Sequence, residues 1–357
     1  MAEVTLGSLY ETGDVVSRDD AQAVIWFRKA AEQGFAAGQS NLGLMYESGR
    51  GVAQDYSQAA SWYRKAAEQG FLIAQFNLAA MYMSGHGVAR SPAVAMDWYG
   101  RAADRGFAPA QFALGEIYAK GNGVPQDLAT AATLYRKAAD QGWAQAQLGL
   151  GELYASGAGV QKNPAEAAKY YRGAAQQGLT KAQFNLAALY ANGEGVPQDF
   201  AEAARWYREA AQKGDAEAQY TLGSMYFLGR GVDKDAAQAS DWLRQAAEHG
   251  HTAAQYNLGV LYETGNGVAK NSAQALQWFR KAAEGGFARA RLSLGLMYCE
   301  GRGVPSDAVA GYAWLILASA ELPKEAGDAM GRHRGGMSAS QLQQAQRMAE
   351  RLRSGTR

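Results

Sequence analysis

Apolar and small positions recur along this chain at one fixed interval. A tyrosine stands at Tyr10, Tyr46, Tyr82, Tyr118, Tyr154, Tyr190, Tyr226, Tyr262 and Tyr298, every step being 36 residues. A leucine precedes each by four, from Leu6 and Leu42 to Leu294, and is followed by a small residue such as Gly43, Ala79 or Gly115. Self-similarity at a fixed period marks a repeat architecture. Within one unit Ala74, Leu78 and Tyr82 fall at i, i+4 and i+8, one face of an α-helix. The pattern therefore predicts a first helix, A, in each of nine units.

The residues between these faces punctuate. Helix A should stop at a Gly-x-Gly-Val turn, as in Gly49-Arg50-Gly51-Val52, because the first glycine can take the left-handed conformation that closes a helix. Repeat 1 departs from this, reading Gly13-Asp14-Val15-Val16. A second helix, B, should then start at Asp19, Asp55, Ser91, Asp127, Asn163, Asp199, Asp235, Asn271 or Asp307, all good N-caps. Three residues on, Gln22, Gln58, Glu166, Glu202, Gln238 and Gln274 give a capping-box-like pair in six of the nine. Helix B carries an aromatic pair expected to be buried, such as Trp62-Tyr63, then paired alanines such as Ala66-Ala67, and ends at glycine, from Gly34 to Gly286.

No such unit buries both faces alone, so neighbours must stack into one continuous core. The Leu-Gly-x-x-Tyr pattern and paired alanines resemble tetratricopeptide repeats of about 34 residues. With two extra residues and the Gly-x-Gly-Val turn, the chain is more similar to the Sel1-like repeat family, of bacterial type by its closing Tyr312-Ala313-Trp314-Leu315. The expected fold is all-α, an α/α superhelical solenoid of nine 36-residue helix-turn-helix repeats over residues 1–320. A C-terminal capping region follows over 321–357. In it, Ser338 with Gln341 and the stripe Leu342, Ala345, Ala349, Leu352 predict a helix over about 338–353 covering the apolar last helix B, with a shorter helix over Lys324–Met330 before it.

Composition removes several function classes. Lys+Arg at 35 against Asp+Glu at 34 leaves a net charge of +1, too balanced to recruit nucleic acid or an anionic membrane by field alone. No apolar run reaches the ~18 residues of a membrane span. As it stands the chain reads as cytoplasmic, and as periplasmic or secreted should a signal precede Met1. The one cysteine, Cys299, excludes an internal disulfide and a cysteine-built zinc site. His249 and His251 lack a third ligand, so no metal is expected. The glycine turns lack the lysine and preceding strand of a phosphate loop, and no Ser-x-x-Lys or Gly-x-Ser-x-Gly nucleophile occurs. Neither a cofactor nor a catalytic residue is expected.

What varies while the scaffold stays fixed is a second stripe of helix A. It carries aromatics at Phe76, Phe112, Phe184, Tyr220 and Tyr256, and asparagines at Asn41, Asn77, Asn185 and Asn257. Acids are scattered along it at Glu11, Glu47, Glu116, Glu152, Glu263 and Glu300 against a single Lys120. The resemblance implies that this stripe lines a concave groove. Amides at regular spacing there could bond the backbone of an extended peptide, with aromatics holding its side chains and acids favouring a basic or polar segment. Equally, the aromatics could pack against neighbouring helices and the asparagines satisfy local backbone groups. The expectation is a non-catalytic, monomeric adaptor that holds a partner protein or peptide. A cell-wall or polysaccharide-fragment protein and a self-assembling element are the alternatives.

Overall fold

The computed structural model describes residues 1–355, and among them are twenty helices and no strand. Two compact units divide the chain. The first, Met1–Leu179, holds α1 (Ala2–Thr12), α2 (Asp20–Glu32), α3 (Ala36–Ser48), α4 (Tyr56–Glu68), α5 (Leu72–Ser84), α6 (Pro92–Asp104), α7 (Ala108–Lys120), α8 (Leu128–Ala139), α9 (Ala144–Ser156) and α10 (Pro164–Gln176). The second begins at Thr180. It holds α11 (Thr180–Asn192), α12 (Phe200–Gln212), α13 (Ala216–Leu228), α14 (Ala236–Glu248), α15 (Thr252–Thr264), α16 (Ser272–Glu284), α17 (Ala288–Glu300), α18 (Ala308–Ser319), α19 (Pro323–Arg334) and α20 (Ala339–Ser354). Odd helices through α17 are helix A and even helices through α18 are helix B. Within each unit the helices through α19 pack on their neighbours in chain order, the pattern of an all-α solenoid, and α20 packs back on α18.

The recurrent leucine centres most of the cores, with Leu114 only half-buried. Leu42, Leu78, Leu150, Leu186, Leu222, Leu258 and Leu294 are fully buried, on the paired alanines of helix B. Leu6 is 37% exposed, because among the described residues no helix B lies before α1. The repeat tyrosine is only half-buried, and at five positions its hydroxyl accepts a bond from an arginine on the preceding repeat. Arg64 Nη2 donates to Tyr82 Oη at 2.7 Å and Arg208 to Tyr226 at 2.8 Å, and Arg28–Tyr46, Arg136–Tyr154 and Arg280–Tyr298 repeat the contact.

A second lock joins the repeats through buried glutamines. Gln75 Nε2 donates to the carbonyl of Ala67 at 3.1 Å, filling one of the acceptors that helix α4 leaves open at its C-terminus. Gln39, Gln111, Gln219 and Gln255 do the same for Ala31, Ala103, Ala211 and Ala247.

All nine expected N-cap residues accept backbone N–H bonds at the start of helix B. The six capping boxes expected there do not close. The amide that the box would bind is taken by the repeat tyrosine's carbonyl, as in Asp55 N–H to Tyr46 O at 3.0 Å and Asp199 N–H to Tyr190 O at 3.0 Å. The full capping box forms at Ser338–Gln341, which starts α20. The expected aromatic pair is buried at Trp206-Tyr207, whereas in the second repeat Tyr63 is fully buried but Trp62 lies half-exposed under the ammonium of Lys65, 3.8 Å from the ring centroid.

The first turn glycine is left-handed as expected, with φ of 70° at Gly49. Gly51, also at positive φ, answers a different need: a Cβ there would overlap the carbonyl of Asp20 on the preceding helix B. Repeat 1 has no such helix beside it among the described residues, and Val15 stands at that position 76% exposed. At the far end α18 buries Trp314, Leu315 and Leu317, and α19 and α20 pack on it, α20 through Ala345 and Ala349. Helix α19 is longer than the Lys324–Met330 stretch expected for it.

Candidate partner-binding stripe of helix A

Helix A has two sides because its core face is narrow. With the alanine and leucine phases turned inward, the phases of residues 40, 41, 44, 47 and 48 lie at the edge of the buried face. Every site residue expected from the sequence is half-buried there: Asn41, Phe76, Asn77, Phe112, Glu116 and Glu152 in the first unit, and Phe184, Asn185, Tyr220, Tyr256 and Asn257 in the second.

The aromatics are engaged with their own repeats. Phe76 packs at 5.4 Å from Tyr99 and 5.9 Å from Phe107, and Phe112 stacks on Tyr135 at 5.5 Å. Phe184 meets Tyr207 edge-on at 5.4 Å, Tyr220 stacks on His251 at 4.4 Å, and Tyr256 lies against Phe279 and Phe287. They are joints between helices A and B with a part of each ring left accessible.

The acids also have internal partners. Tyr63 Oη donates to Glu47 at 2.6 Å, and Tyr135 does the same to Glu116, which also pairs with Lys120. Burial first, then the facing carboxylate, pushes both phenols well above the ordinary tyrosine range. Glu11 pairs with Arg50, and Glu263 with Arg302, which holds Glu300 as well at 2.7 Å. Arginines from the glycine turns thus neutralise acids that the sequence leaves looking open.

The asparagines divide. Asn77 faces the Tyr63 hydroxyl and lowers its pKa against the larger raising effects of burial and Glu47. Among the described residues none hydrogen-bonds the side-chain amides of Asn41, Asn185 or Asn257. Asn257 lines an apolar cavity of about 360 Å³ between α13 and α15. Tyr256 and Val260 form one wall, Phe227 and Leu228 the other, with Leu243 at the base. Leu228 is 62% exposed. Phe227 and Leu228 were not expected as site residues. The signal for Leu228 was there, however, since other repeats carry Ser48, Ser84, Lys120, Ser156 or Thr264 at its phase.

Other chemical candidates resolve into local contacts. His249 Nδ1 lies 2.9 Å from Gln219 Oε1, and His251 Nε2 lies 3.0 Å from Glu217. Burial, reinforced by Glu300, pushes the Cys299 thiol up to about 11, which leaves little nucleophilic thiolate at neutral pH. Among the described residues no three His, Cys, Asp or Glu converge as metal ligands, and no helix is long and apolar enough to cross a membrane.

Comparison with known proteins agrees with this architecture. The Sel1 repeat model matches residues 1–35, 36–71, 72–107, 108–143, 144–179, 180–215, 216–251, 252–287 and 288–321. A solved Sel1 repeat protein from Oxalobacter formigenes is similar at 38% identity and a TM-score of 0.64, over 86% of this chain and 88% of that one. A protective antigen present in uropathogenic Escherichia coli strains, displaying an SLR fold, shares 35% identity at a TM-score of 0.62, over 99% of this chain and 84% of that one. No curated protein matches. Nine tandem matches covering 1–321, on helix pairs of the same period, mean that the chain belongs to the Sel1 repeat family.

Proposed function

We propose that this protein holds a partner protein on the helix A stripe, with an apolar partner side chain seated between α13 and α15. Sel1 and tetratricopeptide-like repeat proteins generally mediate protein–protein interactions, and such scaffolds are generally non-catalytic. The observation that carries the finer reading is the 360 Å³ cavity with exposed Leu228 on its rim and the uncommitted amide of Asn257 in its wall. An apolar pocket beside one convergent polar group is the usual composition of a recognition site, the pocket giving affinity and the amide fixing orientation. A basic partner is less favoured than the sequence suggests, because the stripe's acids are answered by Tyr63, Tyr135, Arg50 and Arg302. A saccharide platform would need open ring faces, and the stripe's rings lie against other side chains.

The test is affinity capture from the source organism with the wild type, Leu228→Asp and Asn257→Ala. Both positions are partly exposed, so melting temperature should hold within a few degrees. The proposal expects one protein retained by the wild type and depleted at least tenfold by both variants. Equal retention by all three, at matched stability, sinks the proposal.

A further inference from the structure

One of the turn arginines lacks the acid that the others have. Arg50, Arg230 and Arg302 each stand between the two turn glycines of their repeat. Arg50 pairs with Glu11 and Arg302 with Glu263, in both cases a helix A acid 39 residues earlier. For Arg230 that position is Ala191, on α11. Arg50 and Arg302 are half-buried, whereas Arg230 is exposed, its guanidinium 5.0 Å from the ring centroid of Phe200. Among the described residues no carboxylate pairs with it.

A second donor belongs to the same position. Tyr63 Oη donates at 2.6 Å to Glu47, the acid of this phase in its own repeat. The equivalent pair is Tyr207, on α12, with Ala191. Tyr207 is only 5% exposed, yet among the described residues its hydroxyl has no hydrogen-bond partner. Glu217 acts on it through charge alone and lies 3.0 Å from His251 Nε2. In the repeats of Glu11 and Glu263 the phenol is replaced by Phe27 and Phe279, and in that of Glu47 the turn carries His86. Each of these acids therefore serves one donor, whereas at Ala191 two donors meet no acid.

Ala191, Phe200, Tyr207, Thr221 and Arg230 line a cavity of about 350 Å³ between α11 and α13, which opens on the helix A stripe. Its volume lies within the range of small-ligand sites. Buried polar groups of a folded chain are nearly always hydrogen-bonded, so a buried phenol without a partner calls for one. A guanidinium carries five N–H donors, and contact with one ring leaves them available. A carboxylate set between that guanidinium and a hydroxyl gains charge-assisted bonds, roughly twice as strong as neutral ones.

We propose that this cavity binds a carboxylate from outside the chain, held by the Arg230 guanidinium and the Tyr207 hydroxyl where other repeats keep an acid of their own. The site is independent of the apolar seat between α13 and α15, and the probes that test it carry no large apolar side chain. A glutamate side chain of an extended partner and a free dicarboxylic acid present the same group. Nuclear magnetic resonance titration of the full chain at constant ionic strength, read at the Thr221 amide, separates them. The probes are N-acetyl-Glu-methylamide, N-acetyl-Gln-methylamide and glutarate. At least one acid should shift the resonance saturably, and the glutamine probe should bind at least tenfold more weakly than that acid. Arg230→Gln, at an exposed position, should weaken the acid about tenfold, and Tyr207→Phe, which keeps the ring, severalfold. Ala191→Glu supplies the acid from within, so it should melt higher than the wild type and abolish the response. Glutarate bound the more tightly assigns the site to a free acid, and the glutamate probe bound as tightly or more so assigns it to a partner side chain. The proposal is overturned if neither acid binds, if the glutamine probe binds as well as the acids, or if Arg230→Gln and Ala191→Glu both leave the response unchanged.

Discussion

A phenol in the interior of a helical repeat reports how much water its junction excludes. Burial pushes Tyr99 up to about 12, and burial with repulsion from Glu217 does the same to Tyr207. In the unfolded chain both would ionise near the ordinary value of about 10. The folded pKa is the higher one, so the stability each contributes is complete below pH 10. It is lost as pH rises from 10 to 12, because the unfolded state releases the proton first. Each tyrosine therefore withdraws up to about 3 kcal/mol across that window. Tyr99→Phe should cost little at pH 8 and melt higher than the wild type at pH 11.5. Thermal melts at the two pH values check this, and a variant that parallels the wild type in both would place Tyr99 in contact with water. Single residues were also where the sequence spoke least clearly. Gln75 recurs in seven of the nine repeats but carries no apolar period, so its bond to the Ala67 carbonyl was visible only once helix α4 lay beside it. The acids misled for a related reason: Arg50 and Glu11 are 39 residues apart, and only the stacking of repeats brings them together.

At the scale of one helix, the sequence told almost everything. Caps, glycine stops and core face are local properties of a segment, set by spacing of about 3.6 residues and by which side chains accept amide hydrogens. The six unclosed capping boxes show where local reasoning ends, since the tyrosine carbonyl that displaces them comes from the helix before. The N-cap residue therefore does two jobs, its side chain starting helix B while its amide ties helix B back to helix A. Replacing Asp199 with alanine removes only the first, because the backbone bond to Tyr190 needs no side chain. The expected loss is about 1 kcal/mol. Gly231→Ala should cost more, since its backbone is left-handed and a Cβ would overlap the carbonyl of Phe200. Chemical denaturation of the two variants ranks them. If Asp199→Ala proved the more damaging, interhelical approach at the glycine turn would be less tight than the geometry gives it.

At the scale of the whole chain, stability is a sum of repeat and nearest-neighbour terms, so damage at one junction should spread outward from it rather than unfold everything at once. The last repeat is the informative place. Helix α18 is more apolar than the other B helices, and α17, α19 and α20 pack on it where Trp314, Leu315 and Leu317 are buried. Ala345 on α20 is fully buried, and an aspartate there would place an unpaired carboxylate against the core at a cost of roughly 3–5 kcal/mol. That exceeds what the small contact face of one terminal helix supplies, so α20 should detach while the interior repeats stay folded. Native-state hydrogen exchange of Ala345→Asp should show protection lost across α20 and reduced in α18 and α17, with α11–α14 unchanged. The graded profile follows because α18 keeps its partner α17 when α20 leaves, whereas α20 keeps nothing. A uniform loss through the second unit would mean that Thr180–Gly355 behaves as one cooperative block, and the nearest-neighbour description of this solenoid would have to be abandoned.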